Sequence, residues 1–118
     1  MIVFRTDAGP KIGFGHLTRC RALAQALKRK GQNCVMVGPD TLFTKLEDRD
    51  IFEDWFPVSE WTSSQEDVAR VIGIAEQNDA EWLVLDDYRI DETYQLNLRA
   101  AGLRWVQFDG TAEKPIWA

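Results

Sequence analysis

The sequence predicts an α/β fold of the Rossmann type, a doubly wound and mostly parallel sheet with helices on both faces. Short apolar runs alternate with amphipathic helical patterns along the chain, which is the element order of a parallel sheet. The run Trp82-Leu83-Val84-Leu85 is continuously apolar, as expected of a strand that helices cover on both sides. We expect a single domain over residues 1–118, with the strands in the order 3-2-1-4-5.

The first βαβ unit carries the clearest pattern. Residues 2–5 predict a strand, residues 17–30 a helix that stops at Gly31, and residues 33–37 a second strand. The apolar positions of the helix recur at i, i+3, i+4 and i+7: Cys20, Leu23, Ala24 and Leu27. A βαβ unit of this length implies a parallel strand pair with a right-handed crossover.

The remaining elements follow from shorter patterns. Ser63 or Ser64 is a typical helix N-cap, and acidic residues follow it in the first turn. The predicted elements are a short helix over 41–48, a short strand near 56–59, helices from 64 to about 77 and over 91–101, and a last strand over 104–108.

The composition is typical of a soluble globular protein. The net charge of −5 argues against a nucleic-acid partner, because the phosphates would be repelled. No apolar run approaches the roughly 20 residues that cross a bilayer. The N-terminus has no basic and then apolar segment of the kind that directs secretion, so we expect a cytoplasmic protein with no membrane span.

The cysteines and the glycine pattern argue against several bound groups. Cys20 and Cys34 fall on a predicted helix and a predicted strand, so we expect buried free thiols rather than a disulfide. One histidine and two separated cysteines also make a structural zinc site very unfavourable, and we expect no metal. The third glycine of a dinucleotide fingerprint is missing, and Arg19 and Arg21 follow instead. NAD is therefore disfavoured and no cofactor is expected.

The motif Gly13-Phe14-Gly15-His16 lies between the first strand and its helix. Such a loop brings backbone N–H groups to an anionic or polyhydroxy ligand, and Gly13 and Gly15 allow close approach. His16 is the only histidine in the chain. The helix dipole disfavours a positive charge at this end, so the position suits a neutral ring that accepts a proton as a general base. The alternative is a histidine that only caps or packs at a helix start.

Candidate ligands follow two strands at the same edge of the sheet. Asp86, Asp87 and Tyr88 come after a central strand, across the switch point at which such sheets bind ligands. An acid there can orient the histidine or bind sugar hydroxyls, and Tyr88 can add a hydroxyl or a stacking face. The alternative is a helix-capping aspartate in an ordinary loop. Asp7 is a further candidate, for which a turn aspartate is the somewhat favoured interpretation.

Four more residues are weaker candidates. Arg19 lies one turn into the helix and can reach the crevice, although most helical arginines are simply solvated. Asp109 follows the last strand, where a plain turn is the favoured interpretation. Trp55 and Trp61 could line a sugar pocket, but core packing is favoured.

Together these motifs resemble a known family. Phe4-Arg5-Thr6-Asp7, Ile12-Gly13-Phe14-Gly15-His16 with Arg19, and Leu85-Asp86-Asp87-Tyr88 look like the N-terminal half of the UDP-sugar hydrolases of pseudaminic acid biosynthesis. The related spore-coat polysaccharide biosynthesis proteins share the pattern. The resemblance runs from Met1 to about Pro115, and its specific part is the block from Ile12 to Arg19.

The resemblance implies an architecture and a reaction. The family is similar to GT-B glycosyltransferases, in which two Rossmann-like domains face each other across a cleft. Its members release UDP from UDP-2,4-diacetamido-2,4,6-trideoxy-β-L-altropyranose by water attack at C1, with inversion and without a metal. By resemblance, His16 is the base, and Asp86 and Tyr88 support the water and the sugar. A C-terminal domain holds most of the UDP, so we expect the chain to be an N-terminal half, inactive alone, with that domain and a nucleotide sugar as its partners.

Two departures from the family pattern alter the polar lining of the site. Many members have His at the position of Asp87, and some have a second Asp at the position of Gly110. These departures leave open a non-catalytic sugar-binding or assembly module. A glycosyltransferase in which an acceptor hydroxyl replaces water is a second alternative, because it has the same architecture and uses a base at the same point. A flavodoxin-like or response-regulator domain has a compatible fold but gives no reason for the motif that ends at His16.

Overall fold

A computed structural model describes residues 1–108 of the chain. Its centre is one parallel sheet of five strands in the order β3-β2-β1-β4-β5, which confirms the predicted strand order. The strands are β1 (Ile2–Thr6), β2 (Cys34–Gly38), β3 (Asp54–Pro57), β4 (Trp82–Asp86) and β5 (Trp105–Gln107). The helices are α1 (Gly15–Arg29), α2 (Asp48–Ile51), α3 (Ser64–Gln77) and α4 (Glu92–Ala100). The Rossmann-like α/β fold class is confirmed.

Helices cover both faces of the sheet, and the side chains of each strand alternate between them. Val3, Leu83 and Leu85 pack with α3 and α4 in one core cluster. Phe4 and Val84 pack with α1 and α2 in the other. The period of two along each strand therefore assigns neighbouring residues to opposite faces. We call these the α3/α4 face and the α1 face.

The element boundaries differ from the predictions in a few places. α1 begins at Gly15, two residues earlier than expected, so that His16 is its second residue. The helix expected over 41–48 is instead a 3-10 turn at Thr41–Phe43 followed by α2. The break occurs where the buried Asp48 carboxylate accepts hydrogen bonds from the Lys45 backbone N–H and from Arg21.

The predicted helix caps are present in the second half of the chain. Ser63 accepts a hydrogen bond from the Glu66 backbone N–H, and Asp91 accepts one from the Tyr94 N–H. Phe14, at the N-cap position of α1, offers no side-chain cap. Within residues 1–108, no helix combines the length and the apolar character needed to cross a bilayer.

Gly38 ends β2 at a point of close backbone approach. Its φ is +134°, a conformation that L side chains rarely adopt. A Cβ at this position would overlap the carbonyl oxygen of Thr6 and Nη1 of Arg5. The end of β2 can therefore lie against the end of β1 only with glycine at this position.

We expect Gly38→Ala to lower the free energy of unfolding by about 2 kcal/mol or more, because it adds a backbone clash to a strained φ. Urea unfolding measures the change. The matched control is Gly73→Ala in α3, where a Cβ meets open space. That substitution should raise the free energy of unfolding by about 0.5–1 kcal/mol. Equal stabilities of the two variants would contradict the close approach.

Candidate active site

The candidate site lies at the carboxyl edge of the sheet, where the two central strands end together. Thr6 of β1 is in register with Asp86 of β4, and the Thr6 hydroxyl donates to the Asp86 backbone oxygen at 2.8 Å. β2 and β3 lie on one side of the central pair β1 and β4, and β5 lies on the other side, so the strand order reverses between β1 and β4. This is the topological switch point of the sheet, where open α/β sheets bind ligands.

The loop of residues 7–14 joins β1 to α1. Gly9 and Gly13 close it into a tight turn, with Gly13 N–H to Gly9 oxygen at 2.7 Å and Gly9 N–H to Gly13 oxygen at 3.2 Å. Gly13 has a φ of +87°, which favours glycine. Gly15 is the first residue of α1 and lies in open space. Of the two predicted glycines, Gly13 thus shapes the loop and Gly15 does not, and their contact with a ligand stays a prediction.

His16 and Asp86 form a hydrogen-bonded pair. Nδ1 of His16 lies 2.6 Å from Oδ1 of Asp86, and the carboxylate is fully buried. A carboxylate only accepts, so the 2.6 Å contact places the proton of a neutral ring on Nδ1 and leaves Nε2 as the acceptor. Nη2 of Arg19 also faces Nδ1, but at 3.4 Å this contact is too long to compete with the carboxylate. Nε2 makes no hydrogen bond to the residues that the structure describes. The His16 side chain is 23% exposed, so the ring is open to solvent on one side.

Arg19 completes the polar cluster around Asp86. Its Nε donates to Oδ2 at 2.7 Å and its Nη2 donates to Oδ1 at 2.5 Å. These hydrogen bonds raise the pKa of the Arg19 guanidinium, although partial burial acts against them. The ring of Phe108 lies 5.1 Å from Cζ of Arg19. Both oxygens of Asp86 thus bind His16 and Arg19 and orient them, and a contact of Asp86 with sugar hydroxyls stays a prediction.

The Cys20 thiol packs beneath this cluster, 3.8 Å from Oδ2 of Asp86. Burial raises the pKa of Cys20 to about 12, and the charge of Asp86 contributes in the same direction. Burial likewise raises the pKa of Cys34 to about 11. Both cysteines are free and buried, as predicted, and their protonated thiols are poor nucleophiles.

Asp7 and Asp87 belong to a second cluster, which is organised by Arg89. Asp87 follows Asp86 directly. Because successive side chains along a strand point to opposite faces, the Asp87 side chain lies away from His16 and pairs with Arg89 instead. The Arg89 guanidinium donates to both oxygens of Asp87, at 2.9 and 2.7 Å, and to Oδ2 of Asp7 at 3.0 Å. Burial acts to raise the pKa of Asp87, but hydrogen bonds from the side chain and backbone of Arg89 outweigh it and lower that pKa.

The remaining predicted residues are placed as follows. Tyr88 is 72% exposed and extends from the edge of the sheet. Asp109 lies outside the described residues. Trp61 packs against the α3/α4 core, stacks on Tyr94 at 5.8 Å and lies 4.5 Å from Cζ of Arg89. Trp55 packs against Phe52 and donates to the Pro39 oxygen at 2.8 Å. Both tryptophans are half-buried and pack against the core, the favoured interpretation, although Trp55 also lines a pocket.

Sequence reasoning missed Arg89 and a buried network below it. Arg5 is fully buried in β1, where it donates to both oxygens of Asp67, at 2.8 and 2.9 Å. The Tyr94 hydroxyl donates to the same carboxylate at 2.7 Å. An arginine inside an otherwise apolar strand was the available signal for a buried ion pair.

A pocket of about 270 Å³ lies elsewhere, between the 3-10 turn, α2 and the start of β3. Its lining includes Lys45, Asp48, Phe52 and Trp55 but none of the residues around His16. Within residues 1–108, no group of three or more His, Cys, Asp and Glu side chains is arranged to hold a metal ion. The pocket is therefore separate from the polar cluster around His16 and Asp86.

In comparisons with known proteins, the chain matches no family model and no curated protein. The resemblance drawn from the motifs around His16 and Asp86 thus stays a prediction.

The lowered pKa of Asp87 predicts how its contribution to stability changes with pH. The contribution is fully present above the ordinary aspartate pKa of 3.8 and is lost as the pH falls through the lower value of the folded protein. At neutral pH we expect Asp87→Asn to lower the free energy of unfolding by about 1–3 kcal/mol. The difference from the wild type should shrink as the pH falls below 3.8.

Urea unfolding of both proteins between neutral and acidic pH measures this difference. The control is Glu53→Gln, which changes an exposed carboxylate and should give a small difference throughout. A difference for Asp87→Asn that stays constant down to the acid limit would contradict the pairing with Arg89.

Proposed function

We propose that this chain is the histidine-bearing, sugar-side half of an enzyme that releases UDP from a UDP-linked diacetamido-trideoxy hexose. The substrate class and the pathway, nucleotide-sugar chemistry for pseudaminic acid or related surface polysaccharides, come from the resemblance. The observation that carries the proposal is the His16–Asp86–Arg19 cluster at the switch point. It gives a partly exposed imidazole a fixed orientation and an unoccupied acceptor nitrogen.

The proposed reaction uses that nitrogen as a general base. Nε2 of His16 accepts a proton from a water molecule as the water oxygen forms a bond to C1 of the sugar. The bond between C1 and the phosphate oxygen breaks, and UDP leaves with the electron pair. Attack from the side opposite to UDP gives a free sugar with inverted configuration at C1. Asp86, hydrogen-bonded at Nδ1, stabilises the charge that the ring gains in this step.

The pairing of the arginines supports the need for a second domain. Arg19 is engaged by Asp86, Arg89 by Asp7 and Asp87, and Arg5 by Asp67. A diphosphate is recognised by cations and backbone N–H groups, and these three guanidinium groups are already neutralised by carboxylates. We therefore assign most of the nucleotide binding to a separate nucleotide-binding domain that faces this edge of the sheet.

The test is turnover of the UDP-sugar by the protein together with its nucleotide-binding domain. Replacing His16 with Gln should lower kcat by about 10²–10⁴-fold, the usual contribution of a general base. The control is Arg29→Gln at the exposed end of α1, which should leave kcat unchanged. UDP release gives the rate, and NMR of the product gives the configuration at C1.

Three results would contradict parts of the proposal. Unchanged turnover of His16→Gln would remove the base and favour a sugar-binding or assembly module. A glycoside in place of free sugar would identify a glycosyltransferase that uses an acceptor hydroxyl. Turnover by the 118-residue chain alone at an ordinary enzyme rate would contradict the need for a second domain.

A further inference from the structure

We propose that Arg89 is a positioning residue, which fixes the loop that presents His16 by binding that loop to the end of β4. The effect on turnover rests on the proposed function, whereas the effect on the loop can be measured without substrate. Arg89 itself lies between β4 and α4, three residues after Asp86.

One guanidinium group connects three segments at the carboxyl edge of the sheet. Nε and Nη2 of Arg89 bind Asp87 at the end of β4, and Nη2 also binds Asp7 at the end of β1. The ring of Trp61, from the segment between β3 and α3, lies 4.5 Å from Cζ. The Arg89 backbone N–H donates to Oδ1 of Asp87 at 2.9 Å, which fixes the carboxylate that the guanidinium binds.

The loop of residues 7–14 is consequently held at both ends by two consecutive residues, Asp86 at the end of β4 and Asp87 directly after it. Its beginning is held by Asp87, through Arg89 and Asp7. Its end is held by Asp86, through His16 and Arg19. Between the two attachments, the hydrogen bonds between Gly9 and Gly13 close the loop, so that a shift at Asp7 is carried toward His16.

Asp7 is oriented for this contact. Its Oδ1 accepts the Ala8 backbone N–H at 2.9 Å, and its Oδ2 accepts from Arg89. Arg89 has the planar donor geometry to bind two carboxylates at once, which a lysine ammonium lacks. Asp7 and Asp87, both predicted as substrate ligands, are thereby occupied by a residue of the chain itself.

The first experiment measures amide hydrogen exchange of the chain without substrate. Asp7→Asn removes the charge and one of the two acceptor oxygens, so residue 7 can no longer accept from both Ala8 and Arg89, while Arg89 stays paired with Asp87. We expect the Gly9 and Gly13 amides to exchange about tenfold faster, while the Phe4 amide in β1 exchanges as in the wild type. The control is Arg99→Gln, which removes a cation that stacks on Trp105 and contacts no part of the loop.

The second experiment measures turnover with the UDP-sugar. Asp7→Asn and Arg89→Gln should each lower kcat by about tenfold to a hundredfold, because the base is displaced from its working position. KM should change little, since neither residue is free to bind the sugar. Arg99→Gln should leave both constants unchanged. Arg89→Lys should not restore the wild-type kcat, because it keeps the charge without the two-carboxylate geometry.

Unchanged exchange at Gly9 and Gly13 in both Asp7→Asn and Arg89→Gln would overturn the proposal. Equal acceleration of the loop and of Phe4 would also overturn it, because that result reports lost global stability rather than local positioning. A raised KM with unchanged kcat would make these residues substrate ligands instead. Faster loop exchange in a protein without any UDP-sugar turnover would support the positioning role and refute only the proposed function.

Discussion

The structure of the candidate site depends on one buried carboxylate. Asp86 ends a central strand and is fully buried, so its charge must be balanced by partners within the protein. Arg19 supplies two charge-assisted hydrogen bonds, His16 a third and Cys20 a weak fourth. These partners lie in the first turns of α1. The hydrogen bonds that they make to Asp86 therefore both hold the helix against β4 and orient the imidazole ring.

The alternation of a β-strand then explains why the edge of the sheet holds two ionic clusters instead of one. The Asp86 side chain joins residues of α1, whereas Asp87 joins Arg89. The ring of Trp61 contacts both Arg89 and the buried Arg5, which is paired with Asp67, so the Arg89 cluster packs on this buried ion pair. The β1–α1 loop connects the two clusters, because it begins at Asp7 in one cluster and leads to His16 in the other.

Much of this arrangement could be predicted from the sequence, because local patterns determine it. The strand order follows from alternating elements and right-handed crossovers, and the switch point follows from that order. The proximity of His16 and Asp86 was predicted on that basis. The separation of Asp87 from Asp86, and the role of Arg89, depend on side-chain direction and on long reach across loops. Residue type and spacing do not encode these features, and neither did they reveal the partners of Arg5.

The most direct test of the account is the tautomer of His16. The chain has a single histidine, so a ¹⁵N–¹H correlation of its imidazole through two bonds is free of overlap. At a pH where the ring is neutral, the account predicts a protonated Nδ1, held by Asp86, and an unprotonated Nε2. A ring protonated at Nε2 with a bare Nδ1 would contradict it, because the base would then face the carboxylate and the nitrogen open to water could no longer accept a proton.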